Sequence, residues 1–229
     1  MAKKLYVFII KKVFFIFNHI GIIFLLKKYK HIKFIHWFLS LFYIWDIKGL
    51  IYLDSPWWTY KAIKIIDDYL KTKSTPIAFE YGSGASTVWL SKRVDKLYSV
   101  EHSKDWFSVV QVFIKKLPNT HYFLVKPDAK IKSDVFISHK DAGKSFYNYV
   151  CAINRFDKKF DIIIIDGRSR TACLKKSLLK IKKGGIIVFD NCLRSRYIKE
   201  IRKINNKVIY CRGLTPSLPY PECTAIIYN

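Results

Sequence analysis

Two arrangements of apolar and polar positions divide the chain. From Ile77 onward, short apolar runs alternate with stretches in which apolar residues recur every three or four positions. The runs suit buried strands, and the periodic stretches suit helices that lay one face on them. The pattern predicts strands at Ile77–Phe79, Leu97–Val100, Tyr122–Val125, Phe160–Ile165 and Ile186–Phe189, with closing strands at Lys207–Tyr210 and Ala225–Tyr228. It predicts helices at Ala85–Arg93, after Ser103 with Phe107, Val110 and Ile114 on one face, and at Thr171–Lys182, where Leu174, Leu178 and Ile181 form the stripe and Gly184–Gly185 stop the helix. Such alternation implies an α/β fold with a doubly wound, mostly parallel, Rossmann-like sheet. Ligands of such sheets bind beyond the carboxyl ends of the strands.

The first 54 residues read differently and are expected to be a separate basic, hydrophobic helical extension, with 55–229 as the main domain. Their longest uncharged apolar stretch, Val13 to Leu26, has 14 residues, against the roughly 20 a bilayer-spanning helix needs. No small-residue cleavage site follows it, so a signal peptide is not expected. Two readings stay open: helices packed as a cap or oligomer contact, or amphipathic helices on an anionic membrane surface with Lys27, Lys28, Lys30 and Lys33 at the headgroups. Ser55 followed by Pro56 reads as a helix start, with Ile63, Ile66 and Leu70 on its inner face.

Charge and cysteine content narrow the setting. The formal net charge is +24, with +8 in residues 1–50 and the rest spread over the chain. This suits an anionic partner, or reflects a Lys-, Ile- and Tyr-rich composition with no ligand behind it. Cys151, Cys173, Cys192, Cys211 and Cys223 are odd in number and lack zinc-type spacing. They point to buried thiols in a reducing compartment, and so to a cytoplasmic protein or one at the inner face of the cell membrane.

The chemistry gathers at the predicted strand ends. Strand 1 runs into Glu80-Tyr81-Gly82-Ser83-Gly84-Ala85-Ser86-Thr87, an acid and then a Gly-x-Gly turn into a helix. A dinucleotide site wants a third glycine where Thr87 stands, and its absence disfavours NAD. Glu80 suits a ligand that carries an ammonium group and a sulfonium. Strand 2 ends at Glu101-His102, where a carboxylate can take both ribose hydroxyls of an adenosine group. Asp166 ends the fourth strand, and Asp190-Asn191 the fifth.

Together these motifs resemble class I S-adenosylmethionine-dependent methyltransferases. Within that group the chain is similar to bacterial methyltransferase-like proteins, often of cell-surface polysaccharide context, with an FEYGSG-x-ST loop (Phe79–Gly84, Ser86, Thr87), an SVE-x-x-x-x-W stretch (Ser99–Glu101, Trp106), an IDGR turn (Ile165–Arg168) and a DN-x-x-R-x-x-Y tail (Asp190, Asn191, Arg194, Tyr197). The resemblance spans about Ser55 to Tyr197 and leaves residues 1–50 without a counterpart. It implies a methyltransferase with S-adenosylmethionine held by Glu80, Gly82, Ser83, Gly84, Ser86, Glu101, His102 and Asp128. The expected acceptor is an oxygen of a small molecule, nucleotide sugar or cell-surface glycan. Asp166 is the expected acid at the reacting oxygen, and Arg168 and Arg194 the expected grip on an anionic acceptor. A likeness to cation-dependent O-methyltransferases would make Asp166, Asp190 and Asn191 ligands of Mg2+. Ser138–Asn154 is expected in the acceptor wall, its Phe146, Tyr147 and Tyr149 either stacking on a sugar or packing as core. The rival readings are a non-catalytic or membrane-associated partner protein that keeps the fold, and a nucleic-acid methyltransferase. The second is disfavoured because Asp166-Gly167-Arg168-Ser169 stands where an amino-directed enzyme carries Asn/Asp-Pro-Pro-aromatic.

Overall fold

The computed structural model describes residues 2–128, 134–138 and 141–229. In chain order its strands are β1 (Ile77–Tyr81), β2 (Lys96–Glu101), β3 (Thr120–Leu124), a short hairpin of β4 (Ile137–Ser138) and β5 (Asp141–Ser145), then β6 (Phe160–Ile165), β7 (Ile181–Phe189), β8 (Lys207–Gly213) and β9 (Glu222–Tyr228). The helices are α1 (Ala2–His19), α2 (Ile22–Lys28), α3 (Lys33–Leu41), α4 (Ile47–Tyr52), α5 (Tyr60–Lys71), α6 (Ala85–Ser91), α7 (Lys104–Ile114), α8 (Tyr147–Val150), α9 (Arg170–Lys180) and α10 (Ser195–Ile201).

Seven strands build the main sheet in the order β3-β2-β1-β6-β7-β9-β8. The first five pair in parallel, and β9 inserts antiparallel between β7 and β8. The sequence pattern implied this doubly wound, mostly parallel sheet. The insertion of the last strand before the one that precedes it in the chain was not legible there, because both strands are short apolar runs with nothing to fix their order.

Alternation along the strands divides the core. On one face Ile162, Ile164, Ile186 and Val188 pack with Trp58 and Ile66 of the α5 region and Trp89 of α6. On the other, Ile163, Ile165, Ile187 and Phe189 pack with Cys173 and Leu174 of α9 and with Tyr149 and Tyr197. Phe146 and Tyr149 are fully buried in this second layer, so the aromatic segment contributes core at both positions, while Tyr147 meets Phe136 edge-on. Residues 139–140 of that expected acceptor wall lie outside the described residues. All five cysteines are unpaired, four of them buried.

Several expected boundaries move. Ser55 does not cap a helix; its hydroxyl turns to Pro56 O. The helix starts four residues later, where Thr59 Oγ1 accepts from Ala62 N at 3.4 Å and donates to Cys211 O at 3.0 Å. Long-range pairing to β8 thus selects the cap over the local Ser-Pro signal. Gly184–Gly185 do not stop α9 either. The helix ends at Lys180, Ile181 pairs with Phe160, and the two glycines form a bulge inside β7, with Gly184 at φ +71°. A Cβ at Gly185 would stand 2.9 Å from Lys182 O and 3.0 Å from Asp161 O, so close backbone approach explains that glycine.

The N-terminal helices pack onto the sheet domain through α3 and α4. His36 meets Tyr60 Oη (2.7 Å) and Leu53 O (3.0 Å), Trp37 donates to Leu218 O, and Ser217 donates from its N–H and its hydroxyl to Ser40 Oγ and O. Ile47 and Leu50 of α4 share a core cluster with Ala85, Val110 and Ile114. We expect Thr59→Ala to cost about 1–2 kcal/mol in urea unfolding, and Ser55→Ala, which removes no cap, to cost less.

Candidate active site

The carboxyl ends of β1 and β6 meet at the point where the chain, having built β2 and β3 on one side, crosses to the other. Asp166 N donates to Tyr81 O (2.9 Å) and Gly82 N to Val100 O (2.9 Å). Gly82 sits at φ +92°, and a Cβ on it would lie 2.7 Å from the backbone of Gly167. A Cβ on Gly167 would lie 1.9 Å from Tyr149 Oη. Both glycines are therefore demanded by the fold. Gly84 is not: its φ of 172° is open to any residue, and a Cβ there meets nothing closer than Ser86 Oγ at 4.0 Å. The space before Gly84 is open and borders a cleft, which is where a ligand needs a bare backbone.

That cleft has three adjoining lobes. One, of about 330 Å³, lies among Gly82, Ser83, Glu101, Trp106, Asp166 and Arg168. It continues into a wider lobe of about 540 Å³ beside His102, Asp128, Lys126 and Lys144. A narrow lobe of about 60 Å³ runs from Ser83, Gly84, Ser86 and Asp166 to Trp45 and Trp57. The sequence-predicted Gly82, Ser83, Gly84, Ser86, Glu101, His102, Asp128, Asp166 and Arg168 all line it.

Glu80 does not line any of these lobes. Its carboxylate is fully buried under the glycine turn and accepts from Ser86 Oγ, Thr87 Oγ1 and Ser99 Oγ, each at 2.6 Å. Burial pushes its carboxyl up to about 7, against the pull of the three hydroxyls. The expected meeting with a ligand's ammonium group is corrected: Glu80 fastens the turn to β2 and to the start of α6.

Glu101 has the opposite environment. Oε2 accepts from Ser83 N and Oγ, both at 3.1 Å; Oε1 accepts from His102 N and Ser103 N, both at 2.8 Å. Burial alone would raise its carboxyl, but the adjacent His102 and the N–H groups of Ser103 and Ser83 hold it below the ordinary range, so it is ionised. His102 Nδ1 also lies 2.8 Å from Oε1 without the alignment of a hydrogen bond. Ser83 Oγ has a second partner, Tyr122 Oη at 2.6 Å. Of the groups on Glu101, that hydroxyl is the one that can yield to an incoming ligand hydroxyl.

Asp166, a quarter exposed, and Asp190, buried, face a residue the sequence reading missed. Arg170 donates to Asp166 Oδ1 (2.6 Å), Asp166 O (2.7 Å), Asp190 O (2.7 Å) and Gly167 O (3.1 Å), and its Nη1 is 4.0 Å from Asp190 Oδ2. Asp190 Oδ1 accepts from Thr224 Oγ1, and Asn191 Oδ1 from Arg194 Nη2. The expected Mg2+ set of Asp166, Asp190 and Asn191 does not fit: a buried guanidinium holds the ground between the two acids, and the Asn amide is turned to Arg194. Among the described residues no group of three or more His, Cys, Asp or Glu is placed to hold a metal ion. Burial and the nearby Asp166 push the Asp190 carboxyl up to about 8. Burial also raises Asp166, against Arg170 and Arg194. Arg194 borders no lobe of the cleft and lies 5.6 Å from the Tyr197 ring. The only hint of Arg170 in the sequence was its position four residues after Asp166, a spacing too common to single it out.

Trp106 completes the wall. The indole N–H of Trp106 donates to Ser83 O at 2.8 Å, which ties α7 to the glycine turn.

No protein-family model and no curated protein matches the sequence. Solved structures do match in fold. The O-methyltransferase from Bacillus cereus, in complex with SAH, superposes with a TM-score of 0.57 at 13% identity over 82% of this chain and 90% of that one. An rRNA methylase from Streptococcus thermophilus gives 0.53 at 12% identity (73% and 95%). Precorrin-6y C5,15-methyltransferase from Geobacter metallireducens gives 0.52 at 12% identity (74% and 87%). The chain therefore has the Rossmann-like class I methyltransferase fold.

Two outcomes test the site's electrostatics. Glu80 has a folded value of about 7 against an ordinary 4.5, so its contribution to stability is fully present below pH 4.5 and is lost as pH rises through 7. Urea unfolding from pH 5 to 8 should show a decline to which Glu80 contributes roughly 3 kcal/mol, and Glu80→Gln should flatten that share while Asp190's remains. Arg170→Met leaves two acids and the carbonyls of two loops without their buried cation and should cost about 3–5 kcal/mol, whereas millimolar Mg2+ should leave the melting temperature of the native protein unchanged.

Proposed function

We propose that the protein is an S-adenosylmethionine-dependent methyltransferase acting on an oxygen of a small-molecule, nucleotide-sugar or cell-surface glycan acceptor. The observation that carries this reading is the open space at Gly84, flanked in one cleft by the ionised Glu101 and by Asp166. A fold that needs no glycine there, yet leaves the backbone bare beside an anionic ribose-type acceptor group, suits an adenosyl ligand whose sulfonium needs no pyrophosphate cradle.

On this reading Glu101 receives the ribose hydroxyls, taking one in place of the Ser83 hydroxyl, which keeps Tyr122 as its partner. The wider lobe takes the base, with His102 at its inner end and Asp128 at its rim. Asp128 is already held by Ser145 Oγ at 3.2 Å and by Asn148 N, which fixes its direction. When bound, S-adenosylmethionine supplies an electrophilic methyl carbon on a positively charged sulfur, so the protein's task is placement and exclusion of water.

Asp166 is the group that takes the acceptor proton. Its carboxylate borders both the Glu101 lobe and the narrow lobe, and Arg170 holds one oxygen so that the other has a defined direction. A carboxyl raised by burial is a stronger base than one in water, which favours that role near neutral pH. The acceptor reaches Asp166 along the narrow lobe, past Trp45 and Trp57. Arg168 borders the other two lobes, on the cofactor side, and acts there on the cofactor's surroundings; Arg194 is engaged with Asn191.

Calorimetric titration should show S-adenosylmethionine binding and no NAD binding. Glu101→Ala should abolish that binding, while Asp166→Asn should retain it within about threefold and lose transfer by 10²-fold or more, of the order expected for a lost general base. Undiminished affinity in Glu101→Ala would remove the ribose assignment.

A further inference from the structure

The N-terminal helix α1 carries two apolar stripes on opposite sides. Ile10, Val13, Phe14 and Phe17 turn inward and pack with Leu39, Phe42 and Tyr43. On the other side Leu5, Phe8, Ile9, Phe15 and Ile16 are exposed, Phe15 at 74%. Exposed apolar side chains continue beyond it at Phe24 (76%) and Phe34 (66%). A water-facing helix carries one apolar stripe, so the second marks a contact surface. Neither α1 nor α2 is long and apolar enough to cross a membrane by itself, and the two are bent by 88° at Ile20–Gly21.

Charge decides what covers that surface. Residues 1–45 hold eight lysines and no Asp or Glu. Lys11, Lys12, Lys28 and Lys33 are exposed among the apolar side chains, and Lys12 Nζ stands 4.5 Å over the Phe8 ring. A second copy set face to face on this surface would bring like charge against like with no carboxylate to answer it. A nucleic acid would answer the lysines and leave the phenylalanines in water. An anionic lipid surface answers both, with acyl chains beneath and phosphates above.

We infer that the outward face of α1, continued on α2, is a docking surface for an anionic phospholipid bilayer, on which the protein lies without spanning it. The inference stands on the extension alone and does not depend on the proposed chemistry. It gives the inner stripe and α3 a second role, as the mount that fixes the membrane-facing helix to the sheet domain.

Co-sedimentation tests it. The full chain should pellet with phosphatidylcholine vesicles containing about a third phosphatidylglycerol, and roughly tenfold less with pure phosphatidylcholine or in 0.5 M salt. The variant Phe8→Ser/Phe15→Ser/Phe24→Ser removes side chains that contribute little to the core; it should keep its melting temperature and lose at least tenfold in vesicle affinity. Lys11→Glu/Lys12→Glu should lose binding to anionic vesicles in the same way. Vesicle binding equal in the native chain and both variants would overturn the inference. So would a dimer, in sedimentation equilibrium without lipid, that the triple variant dissociates, because a second copy would then be the occupant.

Discussion

Where β1 and β6 end, two backbones run so close that Gly82 has no room for a side chain against Gly167, while the Tyr149 hydroxyl leaves none at Gly167. The contact closes the gap between neighbouring strands at the switch point and fixes what stands on either side. Ser83 is delivered to Glu101, Asp166 is held by Tyr81 O, and Gly84 is left facing open space. A bulkier residue at Gly82 would push the loops apart and break the register between the glycine turn and the acid at the mouth of β6. The cleft at this edge is the consequence of that approach.

Around the contact stand four acids given different tasks by their surroundings. Glu80 is buried against hydroxyls and holds its proton up to about pH 7. Glu101, nearly as buried, is kept ionised because His102 lies against it and backbone N–H groups, which can only donate, converge on it. Asp166 and Asp190 share Arg170, a cation of the chain's own that lies where a divalent ion would have to bind. The difference between Glu80 and Glu101 is one of partners, since depth of burial would have raised both.

The N-terminal extension belongs to this arrangement as well as to the surface. Its inner parts supply Trp45 to the wall of the narrow lobe and pack α4 against α6 and α7, the helices that start beside the glycine turn and Glu101. Its outer part faces away with a basic apolar surface. With that surface on a bilayer, as inferred above, one segment would couple the molecule's orientation to the mouth of its cleft.

The strand and helix alternation, the parallel centre of the sheet and the gathering of Gly82, Gly84, Glu101 and Asp166 at one edge were legible in the sequence, because each depends on local periodicity or on a residue standing at a strand end. What escaped it depends on contacts distant in sequence. Thr59 replaces Ser55 as a helix cap because Cys211 in β8 lies beside it. Gly184 and Gly185 bulge within β7 because β6 sets the pairing. Glu80 turns inward because Ser99, on the next strand, offers it a hydroxyl. Arg170 displaces the expected metal because three carbonyls and a carboxylate from two loops converge on its guanidinium. Which residues reach the edge of the sheet follows from their order along the chain. Which of them face the cleft does not, since that turns on what each polar group finds to bond with once water is gone.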